Sequence, residues 1–417
     1  MKNSDQKSIR LTTAHIHSLF SFPSEWAVRP LHEVLLEHGE KDDGNCEVHS
    51  VSVQKGIINQ REHLGRSYAT SDTGKYNLAH HHDVVYTKSP TGSFPFGIVK
   101  QNKTKKDVIL SPLYGVFRPQ SASIGLIVES FFESPSRSIK FLEPLAKKGA
   151  KNTIQISNST FLSGKIPFPK TAEKQDCLAA FISSAEELIS LESERLESLK
   201  EFKRALLQSL FPSKGLATPS LRFPEFRETA PWAKRPAAEI FSNRVDRGNS
   251  NLPIYSVTMT EGMVPRSSLD RKIDDLADSN GNKAVKKGDI VYNMMRMWQG
   301  ALGVAPEDCM VSPAYVVLVP RDINPNFFYY LLKLPETMQV LTAHSRGLTE
   351  DRLRLYFDDF SKIQLHCPPI EEQNKIADSL MSLDEVLNVQ SKKVQALRTH
   401  KESLLQSLFF VGTRTSE

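Results

Sequence analysis

The hexapeptide LLQSLF occurs twice in this chain of 417 residues, at Leu206–Phe211 and again at Leu404–Phe409, 198 positions later. It closes a longer series of matches. WAVRPLHEV from Trp26 pairs with WAKRPAAEI from Trp232 at an offset of 206. At the same offset Ser50-Val51 meets Ser256-Val257, Gly56 meets Gly262, Asp83-Val84-Val85-Tyr86 meets Asp289-Ile290-Val291-Tyr292, and Gly97 meets Gly303. SPLY at Ser111–Tyr114 then meets SPAY at Ser312–Tyr315 at an offset of 201. The order holds while the offset drifts, as expected of one duplicated segment that has lost a few loop residues. Whatever the first half builds, the second must build again.

Each half begins with short β-rich runs such as DVVYTK, DIVYNMM and AYVVLV between polar turns, a pattern of strands mixed with some helix. It ends in one long helical pattern with heptad spacing. In the first half the seam positions are Leu178, Ile182, Ala185, Ile189, Glu192, Leu196, Leu199, Lys203, Leu206 and Leu210. In the second they are Ile376, Leu380, Leu383, Leu387, Gln390, Val394, Leu397, Lys401, Leu404 and Leu408. Eight of the ten positions are apolar in both copies, and the polar pairs Glu192/Gln390 and Lys203/Lys401 fall at the same places. Such a stripe calls for a coiled-coil partner, and polar residues within it fix register at some cost in stability. Equal seams suit each other, and a helix of this length would extend roughly 57 Å. LLQSLF ends each seam, and Pro212 stops the first copy.

The expected fold is therefore α+β, with two duplicated mixed α/β domains separated by two long helices. The boundaries are 1–168 for the first domain, 169–212 for the first helix, 213–228 for a linker, 229–367 for the second domain and 368–417 for the second helix. The linker reading comes from the Pro, Ser and Gly of FPSKGLATPSLRFPEF. Charge and cysteine content narrow the setting. A net charge of +5 suits a polyanionic partner without requiring one. Cys46, Cys177, Cys309 and Cys367 form no C-x-x-C pair, which favours a reducing compartment over a zinc ribbon or disulfide framework. MKNSDQKSIRLTTAHIHSLF has no apolar core for a signal peptide, and no window is long and apolar enough to span a membrane. A soluble cytoplasmic protein is expected.

PPIEEQNKIADSLMSLDEVL (Pro368–Leu387) and its weaker copy PKTAEKQDCLAAFISSAEELI (Pro169–Ile189) carry a P-x-x-x-E-x-Q start to each long helix. With LRFPEF (Leu221–Phe226), the LLQSLF ends and the order of the parts, the whole chain resembles the specificity (S) subunit of type I restriction–modification systems. The first copy departs at Thr171-Ala172, opposite Ile370, and at Lys174, opposite Glu372. The resemblance implies a non-catalytic DNA reader. Each β-rich domain would be a target-recognition domain for one half of a bipartite double-stranded DNA site. The helices would pair antiparallel, with pseudo-two-fold symmetry, and would space the readers and dock two methyltransferase (M) subunits. S-adenosylmethionine, ATP and Mg would belong to the M subunits and to restriction/motor (R) subunits, with no cofactor or metal on this chain.

Catalytic motifs are absent from the sequence. There is no G-x-x-x-x-G-K-[ST] phosphate loop. Asn324-Pro325-Asn326-Phe327 differs from an N-P-P-Y/F tetrad and reads as a turn into the FFYYLL helix. Glu201-Phe202-Lys203 has nuclease-like E-x-K spacing but sits inside the heptads. His80-His81-His82-Asp83 reads as a solvated loop, because neighbours on a strand face opposite ways and cannot converge on one ion.

DNA reading needs cations for phosphates and planar donors for base edges. Candidates are Lys100, Lys103, Lys105 and Lys106 in a stretch that absorbs the five extra residues of the first half between Ile98 and Ser111. Arg244, Arg247, Lys283, Lys286 and Lys287 are candidate phosphate contacts. Arg296 and Gln299 suit guanine and adenine edges, set against core packing by Met294, Met295, Met297 and Trp298. The alternatives are a coiled-coil scaffold with protein-binding domains, or a single-chain restriction or modification enzyme.

Overall fold

The computed structural model describes residues 25–42, 44, 46–61, 73–148, 154–249, 251–269, 281–349 and 352–413. The first twenty residues, read above for targeting signals, lie outside these. The chain divides into two units, Met1–Ser193 with Lys393–Glu417, and Glu194–Lys392. Each unit therefore contains a section of both long helices, and the helices do not stand apart as separate segments.

In the first unit the central antiparallel sheet runs in the spatial order Leu35–Glu37, Gly115–Pro119, Val84–Tyr86, Val99–Gln101. In the second it runs Phe241–Asn243, Tyr315–Pro320, Ile290–Asn293, Leu302–Val304. Three two-stranded ribbons also recur. Trp26–Pro30 with Lys165–Pro169 matches Ala233–Pro236 with Gln364–Cys367. His49–Ser52 with Gly56–Asn59 matches Tyr255–Val257 with Met263–Pro265, and Asn77–Ala79 with Val108–Leu110 matches Lys283–Val285 with Cys309–Val311. The duplication inferred from short sequence matches is a duplication of topology.

The central strands are buried on both faces. Val84, Tyr86, Val99 and Phe117 point into the main core, while Val85 and Val116 point into a smaller one with Ile57, Ala79, Val108 and Leu110. Ile290, Tyr292, Leu302 and Leu318 repeat the first face, and Val291 and Val317 the second. Period-two alternation of β-branched and aromatic residues accounts for both. Short helices cover the main face. Ser121 caps Ala122–Phe132, and Asn324 caps Pro325–Leu332 by accepting from the Asn326 and Phe327 amides, with Pro325 at the first helical position. The N-P-N-F tetrapeptide is thus a helix start.

Strand register corrects one sequence alignment. Val84 pairs with Gln101 and Ile290 with Val304, so Gln101, not Ile98, is the counterpart of Val304. Gly97 then matches Gly300, and both have positive φ, at 96° and 82°. Three of the five extra residues consequently fall in the 87–98 hairpin loop, and two in the lysine-rich turn between Gln101 and Val108.

The long helices run Ala172–Leu210 and Ile370–Thr413. Within the first unit Glu186 meets Lys401 and Glu192 meets Lys393, so residue numbers rise along one helix as they fall along the other, which is antiparallel pairing. All twenty seam positions are buried or half-buried. Lys401 meets Glu186 in the first unit and Lys203 meets Asp384 in the second, and both residues of one pair lie 198 positions from those of the other. The ion pairs thus repeat at the same offset as the seam positions.

LLQSLF does more than end a seam. In the first unit Leu405, Leu408 and Phe409 join the core around Trp26, with the Phe409 and Trp26 rings 6.1 Å apart. In the second, Leu210 and Phe211 join the core around Trp232, again with rings 6.1 Å apart. Each hexapeptide completes the core headed by the tryptophan of the other sequence half. Identical sockets require identical plugs.

The 213–228 segment is anchored, not a free linker. The Arg222 guanidinium donates to both oxygens of Glu372, Nε–Oε1 2.9 Å and Nη2–Oε2 2.6 Å, and to Thr229. Its side chain is 4% exposed and that of Glu372 1%, so this is a buried bidentate pair. The first half's Lys174, opposite Glu372, pairs with Glu25 instead. The motif glutamines behave alike: Gln175 donates to the Pro169 carbonyl and Gln373 to that of Pro368, both at 2.8 Å.

Candidate nucleic-acid interface

Folding separates the eleven predicted DNA contacts into consumed and available groups. Lys100 is not a surface cation: its side chain is 11% exposed and its amine lies 3.2 Å from Glu129. Lys103 bridges Glu129 at 2.9 Å and Glu186 at 2.6 Å. Burial opposes its charge, but the two carboxylates outweigh burial and hold its pKa above the ordinary lysine value. Arg244 is 19% exposed and holds Asp289 at 2.7 Å and Asp246 at 3.2 Å. Lys283 donates to the Tyr315 carbonyl at 2.7 Å, and burial lowers its pKa. Lys100, Arg244 and Lys283 therefore serve the fold, because carboxylates and carbonyls distant in sequence reach them first.

Lys105, Lys106, Arg247, Lys287, Arg296 and Gln299 are exposed. Lys286 is 59% exposed although paired with Asp308 at 2.7 Å. Arg296 precedes the 3₁₀ turn Met297–Gln299, and Gln299 ends it. Residues three apart on such a turn lie on one side. Met297 is fully buried, Met294 packs against the main core and Met295 is 38% exposed, so the turn is pinned from beneath while Arg296 and Gln299 face outward.

The Asp83 and Asp289 loops beside these cations are built the same way in both units. Asp83 accepts the His80 amide and Asp289 the Lys286 amide, at 2.7 and 2.8 Å. Asn102 donates its amide to the Asp83 carbonyl, as Ala305 does to Asp289. His82 and Gly288 occupy equivalent positions with φ of 74° and 89°, a left-handed conformation that favours glycine. Around this frame, His38 stands for Arg244, Glu40 for Asp246, His80 for Lys286 and Asp107 for Asp308. His38 Nε2 lies 3.0 Å from Asp83, and His80 lies 2.8 Å from Glu40 and 2.9 Å from Asp107. His80 is thus engaged, not solvated. Lys41, the counterpart of Arg247, is exposed but engaged: its amine donates to the Asn77 side-chain oxygen and to the Lys75 carbonyl. The offset of 206 carried the signal for these equivalences, since it maps these residues onto the arginine and lysine candidates of the second half.

Among the described residues no group of three or more His, Cys, Asp or Glu is placed to hold a metal ion, and no helix is long and apolar enough to cross a membrane.

Residues 236–398 match the model of the type I restriction modification DNA specificity domain. The HindI specificity subunit of a type I restriction enzyme from Haemophilus influenzae is 31% identical over 188 residues, which cover 43% of this chain and 40% of that protein. The MjaVIII specificity subunit from Methanocaldococcus jannaschii is 22% identical over 294 residues, covering 65% and 68%. Among solved structures, the S subunit of a type I restriction–modification system from M. genitalium shares the fold. Its TM-score is 0.58 at 14% identity, over 92% of this chain and 96% of that one.

Proposed function

We propose that this chain is the DNA-reading subunit of a type I restriction–modification assembly and has no catalytic activity of its own. Each unit reads one half of a bipartite duplex target, and the paired helices set the distance between the half-sites. The observation that carries this reading is the repeated scaffold, whose loops leave Lys105 and Lys106 exposed in one unit and Arg247, Lys287, Arg296 and Gln299 exposed in the other. Equal scaffolds with unlike exposed side chains suit two half-sites of unlike sequence. In this reading S-adenosylmethionine, ATP and Mg are bound by partner subunits, in the cytoplasm.

Two copies of a methyltransferase subunit dock on the helices, and restriction/motor subunits complete the assembly. Exposed apolar pairs support the number two. Leu188 and Leu191 are 44% and 56% exposed, and Val386 and Val389, each 198 positions later, are 47% and 62% exposed. Repeated apolar patches on a pseudo-symmetric pair suit one partner bound twice.

The decisive experiment is methylome sequencing of the host with and without the gene; absence of any bipartite motif that depends on the gene would sink the reading. Two further results are expected. Changing Lys105 and Lys106 to Gln lowers the slope of log K against log salt by roughly 1.8, two phosphate contacts at about 0.9 each, measured by titrating a duplex at several salt concentrations. Inserting one heptad after both Leu196 and Val394 keeps the seam in register and adds about 10.5 Å to each helix. The unread spacer should then lengthen by roughly three base pairs, with weaker binding because the half-sites also rotate. An unchanged spacer in an active variant would show that the helices do not set it.

A further inference from the structure

His80 faces carboxylates with both ring nitrogens, Nε2 toward Glu40 at 2.8 Å and Nδ1 toward Asp107 at 2.9 Å. Only the imidazolium carries a proton on both nitrogens, so either neutral tautomer would turn a lone pair toward one of these carboxylates. Asp107 closes the turn that bears Lys105 and Lys106. Buried Asn102 holds the other end, donating to the Ala79, His80 and Lys106 carbonyls at 3.1, 3.0 and 3.2 Å. The second unit has the same link as Lys286–Asp308, with a lysine in place of the histidine.

We propose that His80 is a positioning residue for DNA binding: as a cation it ties Asp107 and Glu40 together and fixes the turn carrying Lys105 and Lys106, so that the first unit alone loses grip on DNA as pH rises. This rests on the reading of the chain as a DNA reader. The charged groups around His80 are Glu40 and Asp107 in direct contact, His38 with rings 5.7 Å apart, Asp83 beside His38, and Arg118, which meets Glu40 at 3.0 Å. Arg118 and His38 both lie against Glu40, which leaves Asp107 dependent on His80.

The hydrogen bond that His80 donates to Glu40 raises the His80 pKa above 6.5, against burial, and Asp107 adds to it. A raised folded-state value means that the link is fully present below the ordinary imidazole pKa and is lost as pH climbs through the raised one.

The test uses the full-length chain with His80→Lys, which copies the second unit, and His80→Gln, which has no charge. Hydrogen exchange of residues 102–107 and anisotropy of a labelled random-sequence duplex are followed from mildly acidic to mildly alkaline pH at fixed salt. In the wild type, protection and affinity should fall together, affinity by roughly two- to fivefold, the range for a partly exposed ion pair. His80→Lys should hold both at the acidic level throughout, and His80→Gln should hold both at the alkaline level. Protection that is flat with pH in the wild type, or equal in the two variants, overturns the proposal. Protection that follows this pattern while affinity does not also overturns the positioning role. A chain that never binds the duplex refutes the DNA-reader reading instead, and the exchange pattern still decides whether the link exists.

Discussion

A chain ending after Pro212 should form a homodimer, and its methylated target should become a palindrome. The expectation follows from contacts inside each unit. The first unit needs a hexapeptide against Trp26 and a lysine against Glu186, which the full chain supplies as Leu404–Phe409 and Lys401. The truncated chain still carries the same hexapeptide at Leu206–Phe211 and the equivalent Lys203. A second copy can therefore fill the vacancy that truncation creates, and the first can return the contact. A closed two-fold dimer with identical readers imposes a symmetric site. Phe211→Ala in the truncated chain should weaken the dimer by about 3–5 kcal/mol at each of its two equivalent sites, the usual range for a buried phenylalanine. Light scattering checks the first claim and methylome sequencing with the methyltransferase partner the second. A folded monomer, or an active dimer that still marks an asymmetric motif, would defeat it.

Arg222→Ala should destabilise the second unit by about 3–5 kcal/mol, since it strands the Glu372 carboxylate, 1% exposed, without its cation. The Arg222 pKa is raised chiefly by its hydrogen bond to Glu372. Arg222→Lys should fall between, because an ammonium cannot reproduce the two-pronged contact. Replacing both residues with apolar side chains of similar volume should recover most of the loss, since a buried pair is worth far less than the penalty for halving it. Thermal melts give the magnitudes, and hydrogen exchange across 221–232 and 370–376 locates them. A loss below about 1 kcal/mol for Arg222→Ala would mean that water reaches Glu372, contrary to its burial.

The amino-acid sequence alone determined the duplication, the heptad seams and the helix that follows Asn324-Pro325-Asn326-Phe327. Each rests on residues whose meaning is local or periodic: apolar side chains four and three apart select a helix face, and Asn-Pro selects a helix start. Tertiary structure alone decided which cations remain free. Lys100 depends on Glu129, Lys103 on Glu129 and Glu186, and Arg244 on Asp289, carboxylates delivered by other elements. Identity matching likewise paired Gly97 with Gly303, whereas the strand ladders pair it with Gly300, because register follows cross-strand hydrogen bonds and turn geometry. The destination of LLQSLF was settled in the same way: periodicity shows that it ends a seam, but only packing shows it entering the core beside the other half's tryptophan. Local patterns specify elements. Long-range contacts among those elements decide which side chains are left to meet a partner.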